Sequence, residues 1–186
     1  MKTGLLALLV LSLPAVAEEA VPAHPQIELE TTEGTLLLEL DGRRAPLTVR
    51  NFLKLVDDGF YDGTIFHRVI PDFMIQAGGY TRDLKLKEPE GGIPNESGNG
   101  LPNLRGTVAM ARRNEPHTAM SQFFINVGDN KSLNPSSTRW GYAVFGYVIE
   151  GMDIADKIAG APSGPAGPLS QDVPIAPIII LKARRL

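Results

Sequence analysis

Residues 66–79 read Phe66-His67-Arg68-Val69-Ile70-Pro71-Asp72-Phe73-Met74-Ile75-Gln76-Ala77-Gly78-Gly79, two strand-like runs that meet at a Pro-Asp turn. In an alternating strand Arg68 shares a face with Phe66 and Ile70, and beyond the turn Met74 and Gln76 share a face. Phe73 alternates to the side opposite Met74, but it abuts the turn, so its ring is free to lie on either side. One cation, one neutral amide and several apolar groups are thus crowded into fourteen residues with no cysteine, metal-ligand cluster or phosphate loop beside them. Such a set can hold a neutral, partly apolar group and press one charge against it. Two readings of Arg68 stand side by side. In one its stem covers a sheet surface while its head stays in water; in the other it faces a ligand together with Met74 and Gln76.

Outward from this stretch the pattern is mostly strands. Ile27–Thr31 and Thr35–Leu40 alternate with period two around Glu33-Gly34 and read as a hairpin. Pro46 opens a helix whose apolar positions Val49, Phe52, Leu53 and Val56 fall at i, i+3, i+4 and i+7, and Gly59 ends it as a C-terminal cap. Ile65–Ile70, Phe73–Ala77, Thr107–Ala111, Phe123–Val127, Ala143–Ile149 and Ile178–Ala183 read as strands, and Met152–Ala159 as a second helix with Asp153 and Lys157 placed to suit its dipole. Phe123-Phe124 offers one ring to each side of its strand. Tyr80–Asn103 is a long irregular excursion, either functional or a plain solvated insertion. Ser132–Thr138 and the Pro/Gly-rich Ala161–Pro168 read as local loops. Short strands with two helices suggest a mainly β domain, one closed antiparallel barrel with helices at its ends.

The chain has 186 residues, enough for one domain with a real core. Met1-Lys2, the apolar run Leu5–Leu13 and Ala15-Val16-Ala17 read as a secretory signal over residues 1–17, because the run is too short to span a bilayer, which needs ~20 residues. Cleavage would remove seventeen residues and leave 169, of which 18–25 read as a flexible lead-in and 26–186 as the folded domain. The formal net charge is −3, or −4 without Lys2, which gives no electrostatic case for binding nucleic acid. With no cysteine, an exported chain must hold its fold by its core alone.

Several chemistries lack their residues. The only histidines are His24, His67 and His117, and no Gly-x-Ser-x-Gly elbow accompanies them. No HExxH or close histidine pair offers a metal site. Neither Gly91-Gly92 nor Gly98–Gly100 is followed by the Lys-Ser/Thr of a phosphate loop. Neither a metal nor a cofactor is expected.

The chain resembles the cyclophilins, the peptidyl-prolyl cis-trans isomerases, and most closely their exported bacterial members. The resemblance covers about residues 26–183 and rests on Phe66–Pro71 with Phe73–Gln76, Gly106–Ala111, Ser121–Ile125, and Val144–Gly146 with Glu150–Met152, all in order. It implies a closed eight-stranded antiparallel barrel capped by two helices. It implies that Arg68 is the catalytic arginine and that Phe73, Met74, Phe124 and Leu133 wall a proline pocket. Gln76 and Gln122 would line the groove, and the backbone at Ala111 and Arg112 would hold the substrate peptide. Tyr142 falls where many eukaryotic members have a histidine, and Ser132 where they have a tryptophan; Trp140, the only tryptophan, lies eight residues further on. The implied partners are proline-containing segments of unfolded or flexible proteins, met by a monomer in the periplasm, with no nucleic acid, no stable membrane insertion and no cofactor. A competing reading is a binding module that grips such segments without turnover; a more distant one is an exported hydrolase.

Overall fold

Ten strands, most of them built on apolar alternation with period two, and two α-helices with periodicity near 3.6 make up the computed structural model, which describes residues 20–186. In chain order these are β1 (Gln26–Thr31), β2 (Gly34–Leu40), α1 (Pro46–Asp57), β3 (Arg68–Ile70), β4 (Met74–Ala77), β5 (Thr107–Met110), β6 (Phe123–Asn126), β7 (Val144–Glu150), α2 (Met152–Ala159), β8 (Ser163–Ala166), β9 (Leu169–Pro174) and β10 (Ile180–Arg185). The expected signal segment lies outside the described residues. The lead-in, where described, lies against the fold: Gly42 N–H donates to Ala23 O and Leu40 N–H to Pro25 O, each at 2.9 Å. No helix among the described residues is long and apolar enough to cross a membrane.

Eight strands form one antiparallel sheet in the order β10-β1-β2-β7-β5-β6-β4-β3, and β8 and β9 pair separately. The sheet is an open half-barrel, which corrects the closed barrel expected from sequence, because the edge strands β10 and β3 do not pair. The run expected as strand from Ile65 enters the ladder only at Arg68. Before that the chain is joined to the C-terminal segment by an isolated Ile65–Ile179 bridge and by Gly63 N–H to Ile180 O at 2.8 Å, Phe66 N–H to Ile178 O at 2.9 Å and Ile180 N–H to Thr64 O at 2.8 Å. Alternation therefore does not extend back to Phe66, whose ring lies in the main core rather than on the face of Arg68. The loop expected over Ala161–Pro168 belongs to the β8–β9 hairpin, whose small residues and prolines carry no apolar alternation.

The main core lies between the inner face of the sheet and the helices. On α1 the expected stripe Val49, Phe52, Leu53 and Val56 is buried, each large apolar side chain contributing about 1.5–3 kcal/mol. The Phe52 ring meets Tyr61, Phe123 and Phe145 at centroid distances of 4.9, 5.3 and 5.1 Å. On α2 the buried residues are Ala155, Ile158 and Ala159. Gly151, just before α2, has φ +90°, and a Cβ there would lie 2.4 Å from Thr35 O, so the entry to this helix requires glycine.

The 80–103 excursion is tied down rather than merely solvated. Ala45 at the start of α1 has no capping side chain. Its role passes to Glu96, whose carboxylate accepts from Leu47 N–H (3.1 Å), Thr48 N–H (2.8 Å) and Thr48 Oγ1 (2.7 Å). A carboxylate here satisfies unpaired helix donors and complements the dipole. Glu96→Ala is expected to lower unfolding free energy by about 1–2 kcal/mol. Thermal denaturation followed by circular dichroism would then show a Tm lower by roughly 2–8 °C.

Candidate active site

The hairpin of β3 and β4 places the functional side chains by register. Arg68 stands opposite Gln76, Val69 opposite Ile75, and Ile70 opposite Met74. On the other side of β4, Gln76 pairs with Phe124 and Ile75 with Ile125. Directly opposed residues share a face, so Arg68, Ile70, Met74, Gln76 and Phe124 lie on the outer face. Val69, Ile75, Ile125 and Phe123 turn into the main core. The Phe123-Phe124 pair does send one ring to each side. Asp72 takes φ +58°, a conformation that aspartate tolerates better than most residues, and the chain reverses there.

The outer face carries its own apolar cluster. Met74, Leu101, Ala109, Phe124 and Val144 are buried, and Ile70, Phe73, Ala111, Leu133 and Tyr142 pack against them half-exposed. Phe73 therefore joins the side of Met74. The Tyr142 ring meets Phe124 edge-on with centroids 5.6 Å apart. Ser132 is exposed in a short 3-10 turn, Lys131–Leu133. Trp140 is exposed and packs on His117 at 5.3 Å, so it does not join the cluster.

The cluster is bordered by polar groups. Gln76 Nε2 donates to Gln122 Oε1 at 2.8 Å. Gly79 makes room for this pair, since a Cβ there would lie 2.4 Å from the Gln122 side chain. A cleft of about 300 Å³ runs from Gln76 and Gln122 past Ala111 and Arg112 to Leu86 and Glu88. A second of about 410 Å³ lies on the other side of these glutamines, between Arg68 and Leu169–Gln171. The guanidinium of Arg112 is used structurally: it lies over the Tyr142 ring at 4.9 Å and donates to Gly141 O (3.2 Å) and Trp140 O (2.7 Å). The Arg112 backbone N–H and C=O have no partner among the described residues, which leaves them available to an extended peptide. Arg68 donates through Nε to Asp172 Oδ2 at 3.3 Å.

Sequence reasoning missed the supports. Asn130 donates to Phe73 O (2.8 Å) and to Asn126 Oδ1 (2.6 Å), and Asn126 donates to Thr107 Oγ1 (2.8 Å) and Asn103 Oδ1 (3.2 Å). This buried amide chain fixes the backbone at the apolar cluster. Its members lie up to 27 residues apart, Asn103 to Asn130, and no local spacing marks them. Asp172 was also missed, 104 residues from Arg68. Leu101 lies within the excursion and carries no periodic signal.

His67, next to Arg68, is buried against Tyr80 with ring centroids 4.8 Å apart. Burial, reinforced by the charge of Arg68, pushes its pKa down to about 4, although hydrogen bonds to the Ile65 backbone and Gln122 pull the other way. The imidazole is neutral at pH 7 and closed off from service as an exposed base. The unfolded chain binds this proton near pH 6.5, the folded chain only near pH 4. Between these values the unfolded state holds more protons, so stability falls as pH drops through the window, by up to about 3 kcal/mol. Urea unfolding at pH 7.5 and 4.5 is expected to show a smaller pH loss in His67→Gln than in the unsubstituted protein; equal losses would assign the acid sensitivity elsewhere.

The chain as a whole is similar to known proteins. Residues 26–185 match the family model described as cyclophilin type peptidyl-prolyl cis-trans isomerase/CLD. A peptidyl-prolyl cis-trans isomerase of Streptomyces antibioticus is 53% identical over 163 residues, covering 86% of this chain and 98% of that relative. Peptidyl-prolyl cis-trans isomerase B of Escherichia coli K12 is 48% identical over 157 residues, covering 83% and 95%. Among solved structures, a cyclophilin type peptidyl-prolyl cis-trans isomerase of Cryptosporidium parvum superposes with a TM-score of 0.70 at 28% identity, covering 88% of this chain and 98% of the other.

Proposed function

The chain belongs to the cyclophilin-type peptidyl-prolyl cis-trans isomerases, and we propose that it turns over Xaa-Pro bonds of exported proteins with Arg68 as its catalytic group. The observation that carries this reading is the shared face of Arg68, Gln76, Met74 and Phe124, which sets one guanidinium at the border of a half-open apolar cluster.

The reaction needs little chemistry. An Xaa-Pro bond is nearly balanced between cis and trans, yet amide resonance sets a barrier of ~18–20 kcal/mol. Twisting the bond localises the lone pair on the prolyl nitrogen. A donor that meets this nitrogen only in the twisted state lowers the barrier selectively. A guanidinium stays charged at any working pH and offers several N–H groups in a rigid fork.

In this reading Phe73, Met74, Phe124 and Leu133 seat the proline ring, with Tyr142 at the rim. Gln76, Gln122 and the backbone of Ala111 and Arg112 hold the peptide on either side. The ring stays fixed while the carbonyl on its far side rotates past Arg68. With His67 buried and neutral, neither an acid nor a base is required. Arg68→Ala is expected to cut turnover of an Ala-Pro peptide, read in a protease-coupled assay, by 10²–10³-fold, about 2.7–4 kcal/mol, with the circular dichroism spectrum unchanged. Near-normal turnover in that folded variant would remove Arg68 from the mechanism.

Export rests on the charged start, the apolar run Leu5–Leu13 and the small residues Ala15-Val16-Ala17. Cleavage after Ala17 would deliver the isomerase to the periplasm, where newly translocated chains expose prolines in both isomers. N-terminal sequencing of the protein recovered from the cell envelope should begin at Glu18; an intact Met1 terminus there would contradict processing.

A further inference from the structure

We infer that Asp172, within β9 of the β8–β9 hairpin, is a positioning residue that tethers the guanidinium of Arg68 by its Nε and leaves the terminal nitrogens for the substrate. This rests on the assignment of Arg68 as the catalytic group.

The hairpin is built to hold this carboxylate in place. β9 packs beside β3, the edge strand, without joining the ladder of the main sheet. Its base is closed by Ile175 N–H donating to Pro162 O at 2.9 Å, and Val173 and Pro174 are buried. At the tip, a Cβ on Gly167 would come within 2.9 Å of Leu84, so the turn rests on the 80–103 excursion. Asp172 is therefore flanked by a buried valine on a segment anchored at both ends. Its backbone has φ +63°, a conformation that Asp, Asn and Gly tolerate and most residues do not. The positive φ interrupts the regular alternation of β9 where the carboxylate reaches the Arg68 strand.

The contact itself has the form of a tether. Asp172 Oδ2 accepts from Arg68 Nε at 3.3 Å and from Gln171 Nε2 at 3.2 Å. At 3.3 Å the Arg68 contact lies just beyond the usual hydrogen-bond range and is a loose one. The Arg68 side chain is 39% exposed, and its terminal nitrogens have no hydrogen-bond partner among the described residues. An arginine this exposed would otherwise spread over many rotamers, and a transition-state donor works only when it is already aimed. An exposed ion pair contributes little to folding. The expected effect of losing Asp172 is therefore on turnover and not on stability.

The test is a cycle of four proteins, with Asp172→Gly made in the natural chain and in Arg68→Ala. Glycine accepts the positive φ, so the hairpin keeps its course while the acceptor is lost. With an Ala-Pro peptide, Asp172→Gly is expected to lower kcat about tenfold with KM within about twofold, and to leave Tm nearly unchanged. In the Arg68→Ala background the same change is expected to cost nothing further. Asp172→Asn, which keeps the backbone conformation and an acceptor, is expected to recover most of the lost kcat. Relaxation of the Arg68 Nε–H signal supplies a readout that a purely structural role would not move: its order should fall in Asp172→Gly. Unchanged kcat with an equally ordered Nε–H overturns the inference, as does an equal loss in both backgrounds. If Arg68→Ala alone keeps full turnover, the assignment of Arg68 fails and the tether with it; if Arg68→Ala is inactive and Asp172→Gly keeps full kcat, only the tether fails.

Discussion

The site depends on the period-two register of four neighbouring strands. With Arg68 opposite Gln76, Gln76 opposite Phe124 and Ala109 opposite Phe124, one face of β3, β4, β6 and β5 carries the guanidinium, the amide and the apolar seat. The other face carries Val69, Ile75, Ile125 and Val108, all buried in the main core. A slip of one residue would exchange the two faces, sending an arginine and a glutamine into the core and the core residues to water. Burying an unpaired guanidinium costs many times what any surface contact returns. Folding and the proposed function are thus set by the same alignment: whatever stabilises the core also presents the face that carries Arg68.

The register fixes directions, and the connecting segments fix positions. Phe73 lies at a turn and would be free to move, but its carbonyl accepts from Val127 N–H (3.0 Å) and Asn130 Nδ2 (2.8 Å). Asn130 belongs to a chain of buried amides whose donors and acceptors satisfy one another, which is what permits such groups in a core. Arg112 spends its guanidinium on the backbone carbonyls of Trp140 and Gly141 and on the Tyr142 ring, which ties the segment after β5 to the one before β7. Glu96 joins the long excursion to α1. Each of these contacts restricts backbone that would otherwise have to be ordered when substrate arrives.

How much of this was legible follows from the range of each interaction. Strands and helices depend on neighbours a few residues away, so β1, β2, both helices and the Phe123-Phe124 split could be read from periodicity. The face shared by Arg68, Gln76 and Met74 was legible for the same reason, because a tight Pro-Asp turn fixes the pairing. Phe66 was misplaced because alternation was carried past the point where β3 leaves its ladder. The barrel was expected to close because pattern shows how many strands there are but not whether the outer two meet. The β8–β9 hairpin has no apolar alternation, and its contact with Arg68 joins residues 104 apart. Leu133 and Tyr142 came from family resemblance rather than pattern, and the structure brings both to the apolar cluster.

The central claim is that one face seats a proline ring while Arg68 meets the prolyl nitrogen beside it. A crystal structure of the protein with a cis Xaa-Pro peptide tests this most directly. The account predicts the ring among Phe73, Met74, Phe124 and Leu133, the flanking peptide paired with the backbone at Arg112, and a terminal nitrogen of Arg68 turned towards the prolyl nitrogen. A ring seated instead in the cleft between Leu86 and Glu88, with Arg68 making no approach to the peptide, would contradict it.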